Sequence, residues 1–101
     1  MKIVINRCWG GIGFSKELYK ELGIKWDNYG FLKNEDFGIK DGGYNEYRTN
    51  TRLIEAIERI GIKKASGNLA ELKIINIPDN IKYTIENYDG MESVHEEHRS
   101  W

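Results

Sequence analysis

Cysteine and proline are nearly absent: the 101 residues hold one of each. A lone cysteine excludes an internal disulfide framework and fits a reducing compartment, so a cytoplasmic protein is expected. No apolar run approaches the roughly 18–20 residues a membrane-spanning helix needs. Met1–Asn6 is too short to read as a secretory leader. Neither sign of charge dominates, with 15 basic against 16 acidic residues. That balance argues against general nucleic-acid binding, which needs a concentrated positive surface. There is also no internal repeat, low-complexity tract or composition break to mark a linker. What remains is 40% hydrophobic with 12 aromatic residues, enough to fold, and a length that fits a single domain over 1–101.

The local patterns are readable in most of the chain. Lys2–Asn6 centres on Ile3, Val4 and Ile5 and reads as a short buried strand. It runs through Arg7, Cys8 and Trp9 into the turn Gly10-Gly11-Ile12-Gly13. Ser15 is placed to cap a helix whose Leu18, Tyr19 and Leu22 share a face, with Gly23 as its stop. Residues 24–50 hold six of the twelve aromatics without a sustained period, which predicts one or two short strands or turns packed by rings. Thr51–Ile60 is the clearest helix, capped by Asn50 and ended by Gly61, with Glu55 and Arg59 as an exposed i, i+4 pair. Glu71–Ile77 and Ile81–Asn87 flank Pro78-Asp79-Asn80 and predict a hairpin. Asp89 with Glu92 resembles a capping box for a last helix from Gly90 to about Arg99.

The order of these elements predicts an α/β fold, with α+β as the fallback. It would be a small single-domain sandwich with a mixed sheet, a C-terminal β-hairpin and about three helices. If Lys2–Asn6 and Glu71–Ile77 run parallel through a right-handed crossover, the glycine turn and Arg48 share one rim. The last helix then returns to that rim with His98, Arg99 and Trp101. Ligands favour such a place beyond the carboxyl ends of parallel strands.

Each candidate group has a chemical and a plain reading. The Gly10, Gly11 and Gly13 turn before Ser15 offers backbone N–H groups to a phosphate, yet it also serves as a simple strand-to-helix connection. It matches neither a dinucleotide-binding turn, since Lys16 stands where the third glycine belongs, nor a P-loop. Cys8 stands where a nucleophile could stand, but Phe14 occupies the position a phosphatase-like loop gives to arginine, and a buried inert thiol fits equally. His95 and His98 are one helical turn apart, but they fit no known zinc spacing, and no metal or cofactor is expected. Arg7, Arg48 and Arg99 suit anionic groups bidentately, or pair with neighbouring carboxylates. Trp9, Phe14 and Trp101 suit base stacking, or core packing. Five acidic residues against one arginine between Glu86 and Trp101 weaken any nucleic-acid role for that end.

Several segments resemble a group of small proteins encoded by bacteriophages and prophages. They are Lys2-Ile3-Val4-Ile5-Asn6 with Cys8, Gly10-Gly11 and Ser15, then Tyr47-Arg48 through Leu53-Ile54-Glu55 and Gly61, then Leu72-Lys73-Ile74-Ile75 with Ile77-Pro78-Asp79. Tyr88-Asp89-Gly90 and His98-Arg99-Ser100-Trp101 complete the likeness. Residues 24–46 depart from it, being shorter than in many relatives. The resemblance implies a phage gene product acting in the cytoplasm of a bacterial host. By analogy, small phage proteins counter host immunity, some of them by binding a nucleotide signal.

Three functional expectations follow. The first is a non-catalytic binder of a small anionic, nucleotide-like ligand, held by Gly10–Ser15, neutralised by Arg7, Arg48 or Arg99, and stacked on Trp9 or Trp101, with His98 nearby. The second is a module that inhibits a host protein through the aromatics of residues 26–47 and the acidic last helix. The third is an enzyme using Cys8 with a histidine. A modest core also makes a homo-oligomer plausible.

Overall fold

A computed structural model of the protein describes residues 1–40, 42–43, 46–79 and 81–96. The strand β1 (Lys2–Asn6) lies at its centre because both faces of the strand are covered. Val4 points into one apolar cluster with Phe14, Leu18, Leu53 and Ile57. Ile3 and Ile5 point into a second cluster with Ile75, Ile77 and Val94. A strand buried on both sides reads as a continuous apolar run, which is what Ile3-Val4-Ile5 supplies.

The helices form where their caps stand. Ser15 accepts from the Leu18 N–H at 3.1 Å and starts α1 (Lys16–Leu22), which ends at Gly23. Asn50 accepts from the N–H groups of Arg52 (3.0 Å) and Leu53 (3.3 Å) to start α2 (Thr51–Ile60). Its buried face carries Leu53, Ile54, Ala56 and Ile57. A short third helix, α3 (Ile62–Ala65), follows Gly61 directly and has no counterpart among the elements expected from the sequence. Two 3-10 turns, Asn34–Phe37 and Glu46–Thr49, organise the aromatic segment, with Phe37 and Tyr47 stacked at 6.2 Å. Arg59 pairs with Glu21 of α1 at 2.7 Å instead of with Glu55, tying α2 to its neighbour.

Among the described residues, three helices and a C-terminal hairpin make an α+β protein, but the strands pair differently from expectation. β1 pairs with β2 (Leu72–Asn76) antiparallel, Lys2 opposite Asn76 and Asn6 opposite Leu72. The parallel crossover is therefore wrong. A connection of this length and mixed content sets no strand direction, and the handedness rule applies only once two strands are parallel. The expected pairing of Glu71–Ile77 with Ile81–Asn87 is also replaced. β3 (Tyr83–Tyr88) pairs with β4 (Met91–Glu96), Tyr88 opposite Met91. The segment read as the start of a last helix is thus a strand up to Glu96. Asp89 (φ 50°) and Gly90 (φ 95°) form the two-residue link. Positive φ at both positions matches the twist of a tight hairpin, so Asp89 turns the chain and does not cap a helix.

Candidate functional site

Gly90 brings the hairpin tip onto the glycine turn. Gly10 N–H donates to the Asp89 carbonyl at 2.8 Å, and a Cβ on Gly90 would collide with the Gly11 amide nitrogen. Beside this contact Trp9 meets Tyr88 edge-on, with ring centroids 5.7 Å apart. On its other side the turn is held by the end of α3 and the residues that follow it. Gly67 N–H donates to the Gly13 carbonyl (3.0 Å), Ser15 N–H to the Ala65 carbonyl (2.9 Å), and the Ser15 hydroxyl to the Lys64 carbonyl.

Behind the turn lies a buried polar network. Glu92 reaches inward from β4 and forms a bidentate pair with Arg48, Nη2 to Oε2 at 2.8 Å and Nη1 to Oε1. Both side chains are almost wholly buried, at 3% and 2% exposure. Asn6 N–H donates to the same Oε1 at 2.8 Å, and Arg7 donates to the Glu92 carbonyl at 2.9 Å. The Asn6 side chain accepts from Glu71 N–H and donates to the carbonyls of Cys8 and Gly90. Burial alone would lower the Arg48 pKa, but hydrogen bonds and charge attraction from Glu92 outweigh it and hold the guanidinium above its ordinary value. Arg48 is therefore a permanent cation whose charge is already matched.

Two hollows flank the glycine turn. A groove of about 720 Å³ runs between the turn, residues 66–70 and the Tyr29–Phe31 segment. Lys16, Lys63 and Lys64 stand on its walls, and among the described lining residues Glu17 is the one acidic group. Among the described residues no acceptor receives the N–H groups of Gly11, Ile12 and Gly13. Tyr29 and Phe31 stack in parallel at 6.1 Å beside the groove. Their segment is shaped by Asp27, whose carboxylate accepts from the N–H groups of Tyr29 (2.8 Å), Gly30 (2.6 Å) and Phe31 (3.0 Å). A second cavity of about 510 Å³ lies across Ile12, Phe14 and Phe31 from the groove and reaches Arg48 and Glu92.

The candidates named from the sequence fall into three sets. Gly10, Gly11, Gly13 and Ser15 line the groove, and Trp9 is exposed next to them. Arg7 and Arg48 converge on Glu92 and not on the groove. His98, Arg99 and Trp101 lie outside the described residues. Phe14 is core, at 1% exposure. Cys8 is a free, half-buried thiol. His95 sits on β4, 2.7 Å from the Ser93 hydroxyl and 3.4 Å from Glu86. Sequence reasoning missed Lys63 and Lys64, whose adjacency after Gly61 was the available signal. It also missed Glu92 as the partner of Arg48, for which no local signal exists. No cluster of three or more His, Cys, Asp or Glu residues suited to a metal occurs among the described residues. Nor is any described helix long and apolar enough to cross a membrane. Comparisons of the chain with known protein families, curated proteins and solved structures find no match.

Proposed function

We propose that the protein is a non-catalytic binder of a small anionic, nucleotide-like ligand, and that the groove beside Gly10–Ser15 is where it binds. The observation that carries this reading is the gathering of Lys16, Lys63 and Lys64 around one hollow lined by the glycine turn, where Ile12 and Gly13 have backbone N–H groups without an acceptor among the described residues. Phosphate oxygens accept from backbone N–H groups at close range, and glycines leave room for that approach. The lysines supply the charge that Arg48, already neutralised, does not. Tyr29 and Phe31 offer a flat face for a base. The resemblance to phage-encoded proteins makes a nucleotide signal of a bacterial host the natural ligand to try first.

Calorimetric titration with linear and cyclic nucleotides, and with pyrophosphate, tests the reading. Binding is expected, weakened at least about tenfold by Lys63→Glu with Lys64→Glu, since each 1.4 kcal/mol is tenfold. No heat or thermal shift at about 1 mM of any of these ligands would defeat it.

A second reading is favoured by the exposed rings. Trp9 (54%), Tyr29 (74%), Phe31 (63%), Leu69 (76%) and Tyr88 (72%) are all exposed, and all flank the same turn. Exposed apolar side chains gathered in one place mark contact surfaces, with aromatic residues as anchors. The occupant would be a host protein or a second copy of the chain. A stoichiometric complex that is lost in Tyr29→Ala with Phe31→Ala, while nucleotide titrations stay flat, would favour this reading over the first.

A further inference from the structure

The cavity across Phe31 differs from the groove in its chemistry. Tyr83, Ile85 and Asn87 alternate along β3 and turn one face of the strand toward it. Seven of its ten lining residues carry rings or aliphatic side chains, and Arg48, Asn87 and Glu92 supply its polar surface. The charge of this pair is closed, because both Glu92 oxygens are engaged by Arg48 and one also by Asn6 N–H. Arg48 Nε has no acceptor among the described residues, although the side chain is only 3% exposed. A buried N–H donor without an acceptor is unfavourable, and an acceptor brought by a ligand removes that cost. Asn87 is exposed among the lining residues, its Oδ1 accepting from Gly90 N–H at 2.8 Å. Burial raises the Tyr83 pKa, so its phenol stays neutral at physiological pH.

The geometry points to a binding site for an uncharged, flat aromatic ring bearing one hydrogen-bond acceptor on its edge. Flatness follows from the rings of Phe31 and Tyr83, which are open to the cavity, set against the buried rings of Phe14 and Tyr47. Neutrality follows from the closed Arg48–Glu92 pair, since an anion would enter beside Glu92 with no spare cation to meet it. The acceptor follows from a buried donor left over, Arg48 Nε. At about 510 Å³ the space lies within the range of small-molecule sites, and one or two fused rings fit it. The site stands independently of anion binding in the groove.

Three probes separate these requirements: benzamide, which has a ring and a neutral acceptor, toluene, which lacks the acceptor, and benzoate, which carries a charge. Each is titrated into the intact protein to about 5 mM, which toluene still reaches in water and which detects millimolar sites, and followed by amide chemical shifts. Benzamide is expected to move the resonances of Arg48, Ile85 and Asn87. Toluene should bind about fivefold more weakly, as loss of one hydrogen bond implies, and benzoate about tenfold more weakly. Ile85→Trp fills the space and should abolish the benzamide shifts. If that variant does not fold, Ile12→Phe narrows the space from the opposite wall and should weaken them. Absent shifts with benzamide, equal binding of toluene, tighter binding of benzoate, or full binding to a folded filled variant would each overturn the assignment.

Discussion

The Arg48–Glu92 pair gives the sharpest test of how the fold is held. Glu92→Gln keeps an acceptor for Asn6 N–H but removes the carboxylate that faces a guanidinium at 3% exposure. Leaving one partner of a buried pair uncompensated costs about 3–5 kcal/mol, whereas an exposed pair is worth about 0–1 kcal/mol. The Gln side chain still accepts one hydrogen bond, so about 3 kcal/mol is expected for Glu92→Gln. Arg48→Met strands the carboxylate and should cost about 4 kcal/mol. These losses are large against a total stability of about 5–15 kcal/mol. The double variant removes both charges together. It should cost no more than the worse single, an interaction energy of about 3 kcal/mol. Urea unfolding at pH 7, followed by far-UV circular dichroism and tryptophan fluorescence, reads all four proteins on one scale. A single variant that is unfolded in water while the double variant folds supports the pairing equally well. Losses below about 1 kcal/mol for each single, adding in the double, would refute the pair as the organiser of the core.

Two further predictions concern the backbone, one a partly exposed carboxylate and one the groove. Gly90→Ala should destabilise by about 2–5 kcal/mol, from the left-handed backbone plus the collision with Gly11, as read by denaturant midpoint. Gly38→Ala, also at positive φ but facing open space, should cost only about 1–2 kcal/mol by the same measure. Partial burial pushes the Asp27 carboxyl up, but three N–H bonds from Gly30, Tyr29 and Phe31 outweigh it and hold it below the usual carboxylate range. Its contribution is therefore complete above the unfolded value of about 3.9 and is lost as pH falls through the lower folded value. Asp27→Asn should flatten the acid-side fall of the urea midpoint, and an unchanged fall would contradict the assignment. Lys63→Glu alone should weaken nucleotide binding without changing the unfolding free energy by more than about 0.5 kcal/mol, because the side chain is exposed.

The elements whose signals are local were legible in the sequence. Ser15, Gly23, Asn50 and Gly61 mark helix ends within a few residues of the helices they bound, and Ile3-Val4-Ile5 marks its strand. The last strand pair was not legible, for a specific reason. Glu92 and Val94 face inward from β4, and a buried glutamate breaks the alternation of apolar and polar residues that announces a strand. Its justification, Arg48, lies 44 residues upstream. Asp89 three residues before Glu92 then fits a capping box as well as a hairpin turn, and Asp-Gly with positive φ decides for the turn. The glycine turn was legible as a candidate site, but its charge was not. Arginines attracted attention by type, whereas the lysines reach the groove from α1 and from a four-residue helix too short for periodicity to show.

Glu92 is also the latest to be synthesised of the groups it joins. Asn6, Arg7, Arg48 and all three helices are synthesised before β4. Until residue 92 is free, the nascent chain carries a guanidinium with no counter-ion inside a half-built interior. The larger apolar cluster needs nothing from β4, but the polar network is completed only when that strand is in place, so a chain stalled before β4 should be more open to protease around Arg48 than the full chain.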